Sequence, residues 1–333
     1  MIERVLLVSL GSIGERHLRL LRARLPNAKI CVLRSGNIKE SQDTTTSLDV
    51  ALNFSPQIAI VASPAPFHMK TTEALIKIGC SVLIEKPIAA YSDNVAAVLD
   101  DAQVRGVSLA VGYNMRFLET MQKFRNFVLE GCMGRILSIR AECGQFLPDW
   151  RPQKNWRETV SAKMELGGGV LRELSHEIDY LRWIFGEIDW TRAWLGKNGF
   201  GLDVEDTAFL TLGFQKHIGN IEGPPPVGIL TLDFVRRDRV RSCTVIGETG
   251  TLIWDLVRGD IRLCDKDHEQ VLTKSRDAVD PDATYKKQLD SFLEAVIDQK
   301  PLATTAYDGL AVLKVIEAAE RSHLQGGTTQ WIT

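Results

Sequence analysis

The sequence predicts an α/β protein in two parts: a doubly wound parallel sheet over residues 1–115, then a second α/β domain with a large open, mostly antiparallel sheet over 116–333. Three observations carry this. Short apolar runs alternate with helical periodicity as far as residue 111, as strands buried on both faces require. Beyond residue 115 the apolar runs are joined by tight turns, Gly223-Pro224-Pro225-Pro226 and Gly247-Glu248-Thr249-Gly250 among them. A length of 333 residues, at about 150 per domain, allows two cores.

The elements follow in order. Residues 4–9 (RVLLVS) form the first buried strand; a glycine turn leads into a helix with Leu18, Leu21 and Leu25 at helical spacing, stopped by Pro26. Strands at 29–33, 57–62, 81–84 and 107–111 have helices near 44–52, 67–78 and 92–105 between them. A helix near 119–130 ends at Gly131 and a strand covers 135–143. A glycine-led helix at 169–185 precedes strands at 189–195, 206–214, 227–235, 240–246, 250–254 and 260–263, and helices near 284–298 and 306–323 close the chain.

With 44% hydrophobic and 25% charged residues the composition is that of a globular protein, not of a disordered chain or a disulfide-stapled one. Forty basic residues against 42 acidic ones leave no basic excess for nucleic-acid phosphates, so a small-molecule partner is expected. Six cysteines lack C-x-x-C spacing and no His stands at zinc-finger distance, which predicts reduced thiols, no metal site and a cytoplasmic protein. Residues 50–69 carry no charge, yet Asn53, Gln57, three prolines and His68 interrupt them; no signal peptide and no membrane span are expected.

Ser9-Leu10-Gly11-Ser12-Ile13-Gly14 lies between a buried strand and a helix. There Gly11 lets the backbone approach a pyrophosphate, Gly14 lets helix and strand pack closely, and the N–H groups of Ser12, Ile13 and Gly14 open the helix towards phosphate. The next strand ends at Arg34-Ser35, twenty residues beyond Gly14. NAD sites often place an acid there to accept the ribose hydroxyls; a guanidinium and a hydroxyl suit the 2′-phosphate of NADP, so NADP is expected before NAD.

Glu85-Lys86-Pro87 follows a buried strand and precedes Ile88 and Ala89. Together with Gly11-Ser12-Ile13-Gly14, it resembles the Gfo/Idh/MocA family of NAD(P)-dependent oxidoreductases. Ser63-Pro64-Ala65-Pro66-Phe67-His68 resembles the family's cofactor loop, and Gly112-Tyr113-Asn114-Met115-Arg116-Phe117 its domain junction. Gly167-Gly168-Gly169 with the helix carrying His176 resembles its catalytic helix, and Tyr307 to Gly326 its closing helix. The resemblance implies a Rossmann domain and an α/β domain whose open sheet commonly makes a dimer interface. It further implies a closing helix (about 306–323) packed on the first domain. The apolar strands between 189 and 263, with Leu210, Leu212, Leu230, Leu232, Val245 and Ile253, need a cover on the sheet's second face, which predicts a homodimer or homotetramer. The implied reaction moves hydride between a nicotinamide and a hydroxyl of a sugar, sugar acid or nucleotide sugar. The implied cofactor residues include Ser63, Pro64, His68, Glu85 and Lys86, with Lys86 contacting both nicotinamide ribose and substrate hydroxyl. Two positions depart from the family: Ser9 replaces a glycine, and position 172 is Arg where an Asp usually precedes the His by four, leaving Glu173 three residues before His176.

Alcohol oxidation removes a hydroxyl proton as hydride leaves carbon. His176 has the right chemistry for the base, and Lys86 for favouring the alkoxide. Either Glu173 or Asp179 is spaced to orient the His176 ring. On one continuous helix Leu171, Leu174, Ile178, Leu181 and Phe185 form a core face, with Arg172, Glu173, His176 and Tyr180 opposite. Trp150, Arg151, Trp156 and Arg157 form either a loop that covers the sheet or a platform for an anionic sugar, Trp stacking on the ring and Arg forking the acid. Asn114 and Arg116 at the junction, with Arg172 and Tyr180, complete the substrate candidates. Two other readings share the fold: a non-catalytic dinucleotide sensor, and a glycoside hydrolase using tightly held NAD.

Overall fold

The computed structural model describes residues 1–36, 41, 43–150, 152–153, 155–197, 199–215, 224–274 and 280–333. Arg151 lies outside the described residues. The chain divides into two compact units, Met1–Tyr113 with Lys286–Leu313 and Asn114–Tyr285 with Lys314–Thr333.

The first unit reads β1 (Arg4–Val8), α1 (Ser12–Arg24), β2 (Lys29–Leu33), β3 (Thr44–Thr45), α2 (Leu48–Asn53), β4 (Ile58–Val61), α3 (His68–Lys77), β5 (Ser81–Ile84), α4 (Val95–Val104) and β6 (Leu109–Val111). Among the described residues its sheet has the order β3-β2-β1-β4-β5-β6 with every pair parallel. β4 and β5 are buried at every residue, as a doubly covered sheet demands. The order reverses between β1 and β4, and a crevice outside the carboxyl ends at such a switch point is where ligands settle on these sheets. Residues 286–313 tie to this unit: Thr304 Oγ1 donates to Val111 O at 2.8 Å, and Tyr307 Oη to Asp100 Oδ1 at 2.9 Å.

The second unit holds α5 (Glu119–Leu129), β7 (Ile136–Gly144), α6 (Val170–Glu173), α7 (His176–Phe185), β8 (Ile188–Gly196), β9 (Thr207–Phe214), β10 (Val227–Asp233), β11 (Val240–Gly247), β12 (Thr251–Asp255), β13 (Asp260–Cys264) and β14 (Glu269–Lys274). After α8 (Ala283–Asp298) and α9 (Ala306–Leu324), β15 (Gln330–Trp331) closes the sheet in the order β14-β13-β12-β11-β7-β10-β9-β8-β15. β7 and β10 pair parallel and the other pairs are antiparallel. One face, carrying Ile139, Ala141, Leu210, Leu212, Leu230, Leu232, Cys243 and Val245, is buried.

The α/β architecture with one parallel and one mostly antiparallel sheet is the predicted one. Several local expectations need correction. The helix expected at 44–52 begins only at Leu48, after the two-residue strand β3. The strands β14 and β15 escape the pattern because Glu269–Val271 are exposed and β15 has two residues. Of the expected Leu18, Leu21 and Leu25 stripe α1 buries Leu21 alone, together with His17 and Leu20, while Leu18 and Leu25 are half-buried. The single helix over 169–185 is two, broken between Glu173 and His176. All six cysteines are free thiols, and burial pushes that of Cys80 up to about 12. Among the described residues no helix is long and apolar enough to cross a membrane.

Candidate active site

In the first unit, Gly11 is the N-cap of α1 and no side chain caps the helix start. A Cβ on Gly11 would meet nothing within 4 Å, whereas one on Gly14 would lie 2.3 Å from Ser9 O. Gly14 is thus required by strand–helix contact, and Gly11 leaves the uncapped N–H groups approachable. Ser9, standing where the fingerprint has glycine, adopts φ 76°, the left-handed conformation that glycine takes without strain. Its N–H donates to Leu33 O at 2.8 Å, which ties this turn to the end of β2. There Arg34 is half-buried and Ser35 exposed, and among the described residues no carboxylate pairs with the Arg34 guanidinium.

The loop after β4 brings Ser63 to the same edge, its Oγ buried with no hydrogen-bond partner among the described residues. His68, 1% exposed, stands between two carbonyls, with Nε2 2.6 Å from Ser63 O and Nδ1 3.0 Å from Pro87 O, and as a neutral imidazole donates to one of them. Burial holds the imidazole below its usual range, against these carbonyls and Glu85. His68 therefore sits buried between the Ser63 loop and the Lys86-Pro87 turn. The Lys86–Pro87 peptide is cis. Glu85 is likewise turned inward: its Oε1 lies 2.7 Å from His17 Nε2, and its Oε2 accepts from Lys86 N at 3.2 Å. Burial raises the Glu85 carboxyl, but the hydrogen bond and charge of His17 and the charge of Lys86 outweigh it and hold it below the usual carboxylate range.

An open Gly11, an uncapped helix start, a buried serine hydroxyl lacking a partner and a half-buried lysine fit a dinucleotide. Gly11, Ser12, Ile13, Ser63 and Lys86 would hold it, with Arg34 and Ser35 at its ribose end.

In the second unit, Gly169 leads into α6 at φ 104°, and a Cβ there would lie 2.4 Å from Glu205 Oε1. Glu205 explains the glycine: its backbone O accepts from Val170 N at 3.0 Å and its Oε1 from Leu171 N at 3.0 Å, capping α6. Burial raises its carboxyl above the usual range despite that N–H. His176 starts α7, half-buried. Because the helix breaks before it, Glu173 does not share a regular helical face with it, so the spacing argument for Glu173 fails. Asp179 is engaged by Arg116: Nε donates to its Oδ2 at 2.9 Å and Nη2 to its Oδ1 at 2.6 Å, and both side chains are buried.

Four expected substrate residues have partners within the protein. Arg116 holds Asp179, and Arg172, 6% exposed, pairs with Glu320. Asn114 Nδ2 donates to Thr284 Oγ1 at 2.9 Å. Tyr180 is fully buried edge-on to Trp254 at 5.9 Å, so the polar face expected opposite the core does not exist. α7 is buried almost all round: Glu177 on the same turn pairs with Arg241 of β11. Trp156 and Arg157 remain at the surface. Arg157 stacks over Trp156 at 4.3 Å, and Phe200 lies against both Trp156 (4.8 Å) and Phe146 (5.6 Å). Sequence reasoning missed Arg237, exposed and stacked 3.5 Å over Phe146. Trp150 packs edge-on to Phe234 at 5.3 Å, its Nε1 buried without a partner among the described residues.

Comparison with known proteins places both units. Residues 3–113 match the model of the oxidoreductase family's NAD-binding Rossmann fold, and residues 125–332 that of its C-terminal alpha/beta domain. The chain belongs to the Gfo/Idh/MocA oxidoreductase family. It is 24% identical over 270 residues to the rhizopine catabolism protein MocA of Rhizobium meliloti, across 78% of this chain and 74% of that protein. It is 30% identical over 139 residues to the levoglucosan dehydrogenase of Pseudarthrobacter phenanthrenivorans, a match covering 40% of this chain and 34% of the relative. A levoglucosan dehydrogenase structure in complex with NADH shares the fold, with TM-score 0.84, 18% identity and 99% of each chain covered. So does the WlbA dehydrogenase of Bordetella pertussis in complex with NADH and UDP-GlcNAcA, with TM-score 0.80, 18% identity, 100% of this chain and 99% of that one. As a Gfo/Idh/MocA protein the chain is an oxidoreductase that uses a nicotinamide dinucleotide.

Proposed function

We propose that this Gfo/Idh/MocA protein is a dehydrogenase or reductase acting on a hydroxyl of an anionic sugar, a sugar acid or a nucleotide sugar. The observation that carries the reading is the fixed Glu85-Lys86-Pro87 turn at the carboxyl edge of a sheet whose phosphate turn is open at Gly11. Bound there, the nicotinamide supplies or takes the hydride. Lys86 donates to the reacting oxygen and favours its anionic form, and His176 removes or returns the hydroxyl proton. Arg157 and Arg237, each set over an aromatic ring, would fork a carboxylate or phosphate. The relatives named for sugars support the substrate class.

The half-buried Arg34 supports NADP as the preferred dinucleotide. Free thiols support a reducing compartment such as the cytoplasm. On the outer face of the second sheet Trp194 (48% exposed), Phe209 (47%) and Ile229 (49%) lie open on neighbouring strands, which supports a homodimer or homotetramer formed through that face. The test is a panel of neutral sugars, sugar acids and nucleotide sugars assayed for nicotinamide absorbance with NAD and NADP in turn. Turnover confined to acidic sugars is expected; turnover of neutral sugars alone removes the anion reading, and dinucleotide binding with no turnover at all favours the sensor.

A further inference from the structure

The glycine turn and the Glu85-Lys86-Pro87 turn lie about seventy residues apart in the chain and are joined by one buried contact. His17, one turn into α1 after Gly14, is 0% exposed and places Nε2 2.7 Å from Glu85 Oε1. The other Glu85 oxygen accepts the Lys86 main-chain N–H, and Gly112 closes on it: a Cβ there would lie 2.9 Å from Oε2. On the far side of the turn the buried His68 ring packs against it, with Nδ1 3.0 Å from Pro87 O and 3.3 Å from Ile88 O. The carboxylate of Glu85 is thus a rigid strut with the phosphate-binding helix at one end and the lysine's backbone at the other.

We infer that His17 is a positioning residue for Lys86: through Glu85 it sets where the ammonium stands against a dinucleotide held by its own helix. The inference rests on the reading that Lys86 works beside that dinucleotide. The bond does more than fill space. Glu85 is buried, and a carboxylate stays ionised in such a place only with a partner. The titratable and charged groups facing it are His17 from α1, His68 from α3 and Lys86 from its own turn. Without His17 the carboxyl protonates nearer neutrality, the strut loses its charge and one end, and Lys86 loses its fixed aim. Misplacement of a reacting group by about 1 Å is enough to cost roughly a hundredfold in rate.

The experiment follows the acetylation of Lys86 by acetic anhydride, read by peptide mass spectrometry with and without saturating dinucleotide, in wild type, His17→Ala and His17→Gln. Dinucleotide affinity is measured separately by fluorescence, and the Glu85 carboxyl is titrated by carbon NMR, assigned with Glu85→Gln. Dinucleotide should protect Lys86 in the wild type. In His17→Ala the protein should still bind dinucleotide, yet protection should fall several-fold and the Glu85 midpoint should rise. Gln, whose amide nitrogen reaches the Nε2 position, should restore both. With a substrate in hand, His17→Ala should lower kcat far more than it changes KM. Equal protection in wild type and His17→Ala, or an unmoved Glu85 midpoint, overturns the inference. If His17→Ala does not fold, Glu85→Gln carries the test, and full protection there overturns it equally. Absence of protection in the wild type is a different failure: Lys86 is then not beside the dinucleotide, and the inference falls with its premise. Protection without turnover of any sugar leaves His17 in its role and removes only the substrate reading.

Discussion

Arg116 and Asp179 form a two-pronged ion pair, at 2.9 and 2.6 Å, with side chains 8% and 0% exposed. This contact bears on two expected site residues: it holds Arg116, expected at the substrate, in a buried ion pair of the second unit, and it engages Asp179, one of the two acids spaced to orient His176. Arg116→Ala leaves Asp179 buried without its main counter-charge, which should cost about 3–5 kcal/mol of stability. Arg116→Met with Asp179→Leu should recover most of the loss. Urea denaturation of the three variants checks this, and a loss of activity without a loss of stability would contradict the structural role.

Lys86→Ala should fold and bind dinucleotide, because its side chain is half-buried and its backbone contacts remain. Its single-turnover hydride transfer should fall by orders of magnitude through loss of alkoxide stabilisation. His176→Ala should lose about 10²–10⁴-fold if it moves the hydroxyl proton. Near-normal transfer in both folded variants would dismiss the assigned roles.

Arg34→Asp should weaken NADP binding by at least about 1–3 kcal/mol, the value of a charged hydrogen bond, and improve NAD relative to it. Calorimetry with both dinucleotides decides. Tighter binding of NAD than NADP by the wild type would mean that Arg34 reads no 2′-phosphate.

Two buried carboxyls give opposite pH signatures. Glu85 lies below its ordinary range in the folded protein, so its stabilisation is complete above about pH 4.3, the unfolded value, and is lost as pH falls through the lower folded one. Glu205 lies above its ordinary range, so stability falls as pH rises from about pH 4.3, the unfolded value, and the loss is complete above the raised folded one. Thermal unfolding across pH should show Glu85→Gln most damaging near neutrality and converging with wild type in acid. Glu205→Gln should compare least favourably in acid and improve relative to wild type as pH rises.

Phe209→Asp places a charge between Trp194 and the neighbouring strand on the exposed face of the second sheet. Sedimentation velocity should show the wild type as a dimer or tetramer and this variant shifted towards monomer at equal concentration. A wild type that is monomeric at all concentrations would refute assembly through this face.

Sequence alone determined what depends on near neighbours. Apolar runs bounded by turn residues marked most strands of both sheets, and the glycines and the Glu85-Lys86-Pro87 motif marked the phosphate turn and the lysine, because strand burial and helix starts are written locally in residue type and spacing. It also determined the family, through five motifs in order. What only the tertiary structure decided is which charges serve the fold. Arg116, Arg172, Asn114 and Tyr180 carry the polar atoms of a binding site, and nothing local shows that Asp179, Glu320, Thr284 and Trp254 meet them. Glu205 lies more than thirty residues from the α6 start that it caps, and that cap accompanies the break that separates Glu173 from His176. Burial makes a polar group demand a partner, and the partner's distance along the chain is free, so a lone arginine in the sequence reads the same whether it awaits a substrate or holds a buried carboxylate.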